Sequence, residues 1–512
     1  MSTNLTILAA LAAVTGFWLA RRARPAAWPE RLAAFLLPAL LGTLVYAYAE
    51  TAVLCTNWTW SACRLAPTIA LFHGYPLYPP EAGGVITDWH YGPVAALAWS
   101  PAALADSPQP ALMTAAVINL LFLLVPLLAA AWRATAGRLL PALLVFALGA
   151  AGILQLYPTW YMASALNVDA IAVGLGAGSC LVLVRAGVPS GKHLLLAAAL
   201  SVLAVWTKQN DATLILAQAG WLWFRHGRTA ARQLSVAFAG AMAGVIGLVA
   251  VVLHPADVFF NLWTIPFSEA LPGGWSAAGA EAMDFLLYTA VLWLPCLLAA
   301  LWPPAAAPGA SEPAPRSQLP LWLFVAAAAA LLPTGIVAAI KIGGDRNSIH
   351  SVYYLAVAAI LAVGGAWPAR AGRNAALGHS AILVATAVVV ALAARQAASY
   401  PDRPLLPRRC LSQEAWAVAL RHPEQVYFPW DPLATLMAEG RLYHFEYGVI
   451  DRIYVGRAPA PGALNAGLPA RLSVVVYPRA PYPQTMRERY LPPLTLASTT
   501  EDWLIYRKAE AH

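Results

Sequence analysis

The chain has 512 residues, of which 60% are hydrophobic and only 11% charged, against about 25% charged in an ordinary soluble protein. Apolar stretches recur through the first 398 positions, many of them near the ~20 residues that a membrane-crossing helix needs. These figures exclude a cytosolic enzyme, a coiled coil and a disordered chain, and they point to a polytopic α-helical membrane protein.

Candidate spans, taken in chain order, lie near 5–20, 31–49, 110–132, 139–157, 169–184, 194–207, 211–224, 233–253, 281–302, 319–340, 350–368 and 379–397, about twelve transmembrane helices in all. Fourteen Lys and Arg fall in one set of connecting segments: Arg21, Arg22, Arg24, Arg31, Arg133, Arg138, Arg185, Lys192, Arg225, Arg228, Arg232, Arg316, Arg370 and Arg373. The opposite set carries only four, Arg64, Lys208, Lys341 and Arg346. The positive-inside bias therefore puts the first set in the cytoplasm. Parity then requires that 92–106, with Pro93 and Pro101, does not cross. The first segment has its arginines after the apolar run, the reverse of a cleavable signal peptide, and reads as a span with an outside N-terminus. Residues 303–318 form a Pro/Ala linker.

From 399 onward 24 of 114 residues are charged, whereas the preceding 398 hold 32. The chain thus divides into a membrane body, 1–398, with a first outer loop at 50–91, and a water-exposed domain, 399–512. In the latter, β-prone runs at Gln425–Phe428, Leu472–Tyr477 and Trp503–Tyr506 alternate with expected helices at 412–421 and 431–439, which predicts a small α/β domain. Ser412 and Asp431 are the expected helix caps. The net charge of +8 comes with no aromatic-basic patch, so nucleic acid is not an expected partner.

Polar groups beside a membrane are costly and need a reason. The first outer loop holds Glu50, Asn57, Trp58, Trp60, Arg64, Asp88, His90 and Tyr91. Interfacial belting accounts for most of its aromatics, but not for carboxylates and histidines among them. Glu50 reads either as a solvated helix-end acid or as a base that deprotonates an acceptor hydroxyl. Asp169 opens a span, where helix polarity alone favours an acid. Lys208 and Asp211 sit in a turn between two short apolar runs and either pair with each other or serve a ligand. Lys341, Asp345 and Arg346 flank a Gly pair on the side that should lack cations, either as a solvated loop or as a phosphate-binding one. Cys55 and Cys63 are eight positions apart in a disulfide-permissive loop; a bridge between them competes with one involving Cys410. No metal-spaced Cys/His cluster, phosphate-cradling Gly motif or Ser-hydrolase elbow is present.

The ordered series "HGYPLYPP", "HYGP", an N-x-D-A at an outer helix start, "TKQND" and "GGDRN" resembles the bacterial GT-C-type glycosyltransferases, over roughly 31–397. That resemblance implies a multi-pass enzyme of the bacterial inner membrane with a periplasmic tail. It would transfer a sugar from a polyprenyl-phosphate carrier to a glycan, lipid or protein acceptor. It further implies an acid early in the first outer loop as base or metal ligand, with a divalent metal possible. Asn57, Ser61 and Ala62 stand where an Asp would be comfortable, which leaves Glu50 and Asp88, with Glu81 between them. On this reading Glu50, Asp88 and Asp169 are catalytic; Lys208, Lys341, Arg346 and Arg64 bind the donor phosphate; Asn57, Trp58, Trp60, His90, Tyr91, Asp211 and Asp345 line the substrate. Two rivals stand beside it: a carrier or flippase for a lipid-linked or polar solute, and a non-catalytic relative that offers its tail as an interaction platform.

Overall fold

The computed structural model describes residues 28–56, 59–135, 139–155, 162–184, 189–285, 319–342, 344, 346–366, 409–480 and 482–508. The membrane body contains α1 (Trp28–Cys55), α2 (Thr59–Phe72), α3 (Pro93–Trp99), α4 (Pro108–Ala134), α5 (Leu139–Gln155), α6 (Asp169–Leu183), α7 (Gly191–Val205), α8 (Leu214–His226), α9 (Arg228–Val252), α10 (Leu319–Ile340) and α11 (His350–Ala366). Their apolar runs form helices because a backbone without water must satisfy its own hydrogen bonds. Three of them, Pro108–Ala134, Arg228–Val252 and Trp322–Ile340, are long and apolar enough to cross a bilayer. Shorter apolar helices accompany them among the described residues, including Leu37–Val53, Asp169–Leu183 and Gly191–Val205. The expected spans at 5–20 and 379–397, and most of 281–302, lie outside those residues, as do the linker at 303–318 and the division at 398/399.

One large core joins α4, α5, α6, α7, α8, α10 and α11 around Leu123, Ala147, Val173, Ala197, Leu222, Phe324 and Tyr354. A polar network links helices within it. Ser201 donates to Gln218 Oε1 (2.9 Å), and Gln218 Nε2 donates to Ser179 Oγ (2.9 Å). Tyr354 donates to the Leu123 carbonyl. α9 turns Val236, Ile246, Leu248, Val251 and Val252 outward, as a lipid-facing helix does.

The stretch expected not to cross is α3 followed by a 3-10 turn, Ser100–Leu104. Together they reach roughly 20 Å at ordinary helical rises, short of the ~30 Å hydrocarbon core. The first outer loop is more structured than its composition suggests. Residues 50–55 still belong to α1, and Thr59–Phe72 is a buried helix, α2.

The tail is a small α/β unit. Helices α12 (Leu411–Arg421), α13 (Pro432–Glu439) and α14 (Glu446–Tyr454) accompany β1 (Val426–Tyr427), β2 (Val474–Pro478), β3 (Leu494–Thr499) and β4 (Trp503–Lys508). Sheet order is β1-β2-β4-β3, with β1 parallel to β2 and the other pairs antiparallel. Alternation along the strands splits the core: Tyr427, Val475, Tyr477 and Tyr506 meet Val449 and Ile86 on one face, while Val426, Val476 and Trp503 meet Ala415 and Ala434 on the other. Asp431 caps α13 by accepting from Ala434 N. Ser412 does not cap α12; Cys410 occupies that position and Ser412 is buried inside the first turn. Strand β3 lacks the apolar alternation that marks the other strands and was not expected.

Candidate active site

Four chain segments far apart in sequence meet at one end of the bundle. The first is the extended run 85–92, between α2 and α3. The second is the start of α6. The third is Lys208, in extended conformation before the 3-10 turn Gln209–Thr213. The fourth is the turn Arg346–Ile349 leading into α11. Their approach is close enough that a Cβ on Gly92 would lie 1.7 Å from the Trp206 carbonyl oxygen, and Val94 N donates to that same oxygen.

Asp169 lies at the first position of α6, buried. Lys208 pairs with its carboxylate and also donates to the Asn347 carbonyl (3.1 Å). His350 Nδ1 lies 3.6 Å from the same carboxylate. Lys208 and Asp211 do not pair with each other. Asp211 instead accepts from Ser351 (2.9 Å) and lines a small cavity with Val173, Gly176, Leu331 and Leu355. Lys341 pairs with Glu269 and donates to the Pro266 carbonyl (3.3 Å).

Asp88 is enclosed, and Arg64 approaches its carboxylate at 3.2 Å. The same guanidinium nitrogen donates to the Asp88 backbone carbonyl (3.1 Å), while neither carboxylate oxygen accepts an aligned hydrogen bond among the described residues. The attraction is thus one of charge more than of geometry. Burial pushes the Asp88 carboxyl above its ordinary range, with the Arg64 charge acting against that shift. Arg64 also lies over the rings of Trp60 (5.2 Å) and Tyr91 (4.8 Å), a desolvated cation–π arrangement. The Tyr91 phenol stands in the field of both pairs, Arg64–Asp88 and Lys208–Asp169, which makes them one electrostatic unit.

The tail domain is part of this unit. His90 Nε2 lies 2.8 Å from Asp451 Oδ2 on α14. Arg452 donates to the Glu81 and Pro80 carbonyls (2.7 and 2.9 Å), and Ile86 N donates to His444 Nδ1 (2.9 Å). A Cβ on Gly448 would lie 2.3 Å from the Thr87 carbonyl oxygen, so α14 sits against the backbone of the outer loop. Gln209 Nε2 donates to the His90 carbonyl (2.9 Å) and ties that run to the Lys208 turn.

The structure thus brings together Arg64, Asp88, His90, Tyr91, Asp169, Lys208 and Trp60. Glu50 lies half-buried on α1 with Tyr46 one turn away and within its electrostatic reach. Asn57, Trp58 and Asp345 lie outside the described residues, as does the side chain of Arg346. The expected Cys55–Cys63 bridge is corrected: Cys63 carries a free thiol that donates to the Trp430 carbonyl (3.2 Å). The free thiol of Cys410 donates to the Thr56 carbonyl. Sequence reading passed over Asp451, Glu269, His350 and Ser351. An acid beside the membrane was a usable signal for Glu269, but Asp451 looks like any charge on a soluble helix. Among the described residues no group of three or more His, Cys, Asp or Glu is arranged to hold a metal. Asp88 and Asp169 each face a cation instead, so among the described residues these two carboxylates do not fit a divalent ion.

No protein-family model matches the sequence, and no curated protein matches it significantly. Among solved structures, ArnT from Cupriavidus metallidurans bound to undecaprenyl phosphate superposes with a TM-score of 0.55 at 11% identity, covering 92% of this chain and 98% of that one. The same ArnT in the apo state gives 0.41 at 12% identity, covering 92% and 97%. The Archaeoglobus fulgidus oligosaccharyltransferase tethered with an acceptor peptide gives 0.43 at 14% identity, covering 86% and 69%. The last two likenesses are too weak to bear on the fold. The first spans nearly the whole of both chains, and this chain shares the fold of that ArnT.

Proposed function

We propose that this protein is a multi-pass glycosyltransferase of a bacterial cytoplasmic membrane that moves a sugar from a polyprenyl-phosphate carrier to an acceptor on the outer face. One observation supports this above the others. Buried ion pairs from four distant segments gather at one end of a fold shared with a protein whose structure holds undecaprenyl phosphate. Sugar transfer leaves a lipid phosphate, so cations are needed where that charge accumulates. Lys208, Lys341, Arg64 and Arg346 are those cations in this reading. Three of them have carboxylate partners, Asp169, Glu269 and Asp88. A buried cation without an anion is costly, so the carboxylates hold the cations in place until phosphate arrives. Lys341 is the most open of the three, with 23% of its side chain exposed against 8% for Lys208 and 12% for Arg64. It is therefore the cation that phosphate reaches first.

Asp88 faces Arg64, and its part is to hold that cation. Asp169 orients Lys208. The tail domain and the first outer loop lie on the same, extracytoplasmic, side.

The test is to incubate the purified protein in detergent with undecaprenyl-phosphate mannose, glucose or arabinose and to follow free undecaprenyl phosphate. Turnover supports the enzyme, whereas binding without release favours a carrier. Lys341→Ala should weaken undecaprenyl phosphate binding by roughly 10- to 100-fold, the loss of one charge-assisted hydrogen bond. Unchanged affinity removes Lys341 from the phosphate site.

A further inference from the structure

We propose that His90 is the base that takes the acceptor's hydroxyl proton, and that Asp451, carried in from the tail domain, is its positioning residue. This rests on the sugar-transfer reading above. His90 Nε2 lies 2.8 Å from Asp451 Oδ2. An ionised carboxylate can only accept, so Nε2 carries the hydrogen and Nδ1 keeps its lone pair. Nδ1 is shielded from solvent and meets no hydrogen-bond partner among the described residues. An orphaned buried nitrogen is costly, and such atoms mark places where a ligand completes the set. Asp451 holds the ring at Nε2, and Gln209 fixes the backbone of His90 at its carbonyl.

The surroundings suit a proton acceptor. The charged and titratable groups of this region are Asp88 and Arg64 of the outer loop, Asp451 and Tyr447 of α14, and Glu269 of the segment after α9, itself paired with Lys341. Asp451 is the carboxylate in contact with the ring, and it faces the imidazolium that forms. In the step itself, the acceptor oxygen bonds to the anomeric carbon while the bond from that carbon to the phosphate oxygen breaks. The electron pair leaves with the polyprenyl phosphate. The hydroxyl proton moves to His90 Nδ1, the new positive charge is balanced by Asp451, and the proton then passes to water.

Oriented base catalysis by a side chain is worth roughly 10²- to 10⁴-fold. The full-length protein in detergent is assayed with the undecaprenyl-phosphate sugar that the wild type uses, and binding is measured with undecaprenyl phosphate. His90→Gln keeps a donor toward Asp451 but has no basic nitrogen. It should lose about 10²-fold or more in kcat, bind undecaprenyl phosphate as the wild type does, and lose the acid limb of the pH–rate profile. Asp451→Asn should lower kcat with the donor KM unchanged, and Asp451→Glu should recover most of the rate. His90→Ala is the second base-deleting variant, with thermal unfolding confirming that each protein is folded. Wild-type kcat in a folded His90→Gln or His90→Ala overturns the proposal. So does an Asp451→Asn defect that lies in donor binding and that Asp451→Glu fails to relieve. A wild type that binds undecaprenyl phosphate but turns over none of the three sugars removes the sugar-transfer reading itself, and this inference with it.

Discussion

Lys208 shows how a residue that is costly in isolation becomes tolerable through one partner. Its ammonium is buried and compensated by Asp169 and the Asn347 carbonyl. Removing one member of such a pair leaves an uncompensated charge, at a cost of about 3–5 kcal/mol, whereas replacing both by neutral groups is nearly neutral. Lys208→Met alone should therefore lower the unfolding midpoint in detergent markedly, and the double variant Lys208→Met with Asp169→Asn should recover most of the loss while staying inactive. Equal midpoints for the single and double variants would show that the pair carries no buried charge. The candidate residues Asp169 and Lys208 were legible locally, as an acid at a helix start and a Lys in a hairpin too short for the bilayer. Their pairing was not. Adjacency in sequence suggested Asp211 for Lys208, and the fold assigns Asp211 to Ser351 instead, 140 positions away.

At the scale of elements, the decisive contact is α14 against the run 85–92. Gly448 permits it, since a Cβ there would overlap the Thr87 carbonyl. Gly448→Ala should lift α14 from the outer loop and raise amide hydrogen exchange over residues 85–92, with the sheet β1-β2-β4-β3 unaffected. Unchanged exchange in that run would mean that the helix tolerates the methyl by a local shift. Asp431, at the start of α13, is a plainer case. Asp431→Ala should cost about 1 kcal/mol through loss of the cap, read as weaker exchange protection in 432–439; full protection there would deny the cap any energetic role. The helices were legible because apolar run length is a local property: α4, α5, α6, α7, α10 and α11 begin or end within a few residues of the expected spans. The helix α2 was missed because its run, broken by Pro67 and carrying Arg64, resembles neither a span nor a soluble amphipathic helix.

At the scale of the whole molecule, the tail holds buried titratable groups, so its stability depends on pH. Burial pushes the Glu446 carboxyl up to about 7 and the Asp431 carboxyl likewise up to about 7. Between the ordinary carboxyl range and pH 7 the unfolded chain releases these protons and the folded one keeps them, so their contribution to stability falls as pH rises. His444, lowered to about 4 by burial, acts oppositely, since its contribution is lost as pH falls from about 6.5 toward 4. Glu446→Gln removes one of the two carboxyl terms. It should raise the stability of the tail at pH 8 relative to pH 5, measured by hydrogen exchange of β2 in the full-length protein. A wild-type and variant difference that is the same at both pH values would refute the shift.

Composition alone determined that this is a helical membrane protein with a more polar tail, because hydrophobicity and helix length act residue by residue along the chain. Motif order alone suggested the fold class. Only the tertiary structure decided that the tail closes over the first outer loop, that Asp451 reaches His90 across 361 positions, and that Arg64, Lys208 and Lys341 each meet a carboxylate. Charges pair by distance in space, and nothing in the order of the residues encodes that distance until the helices have packed.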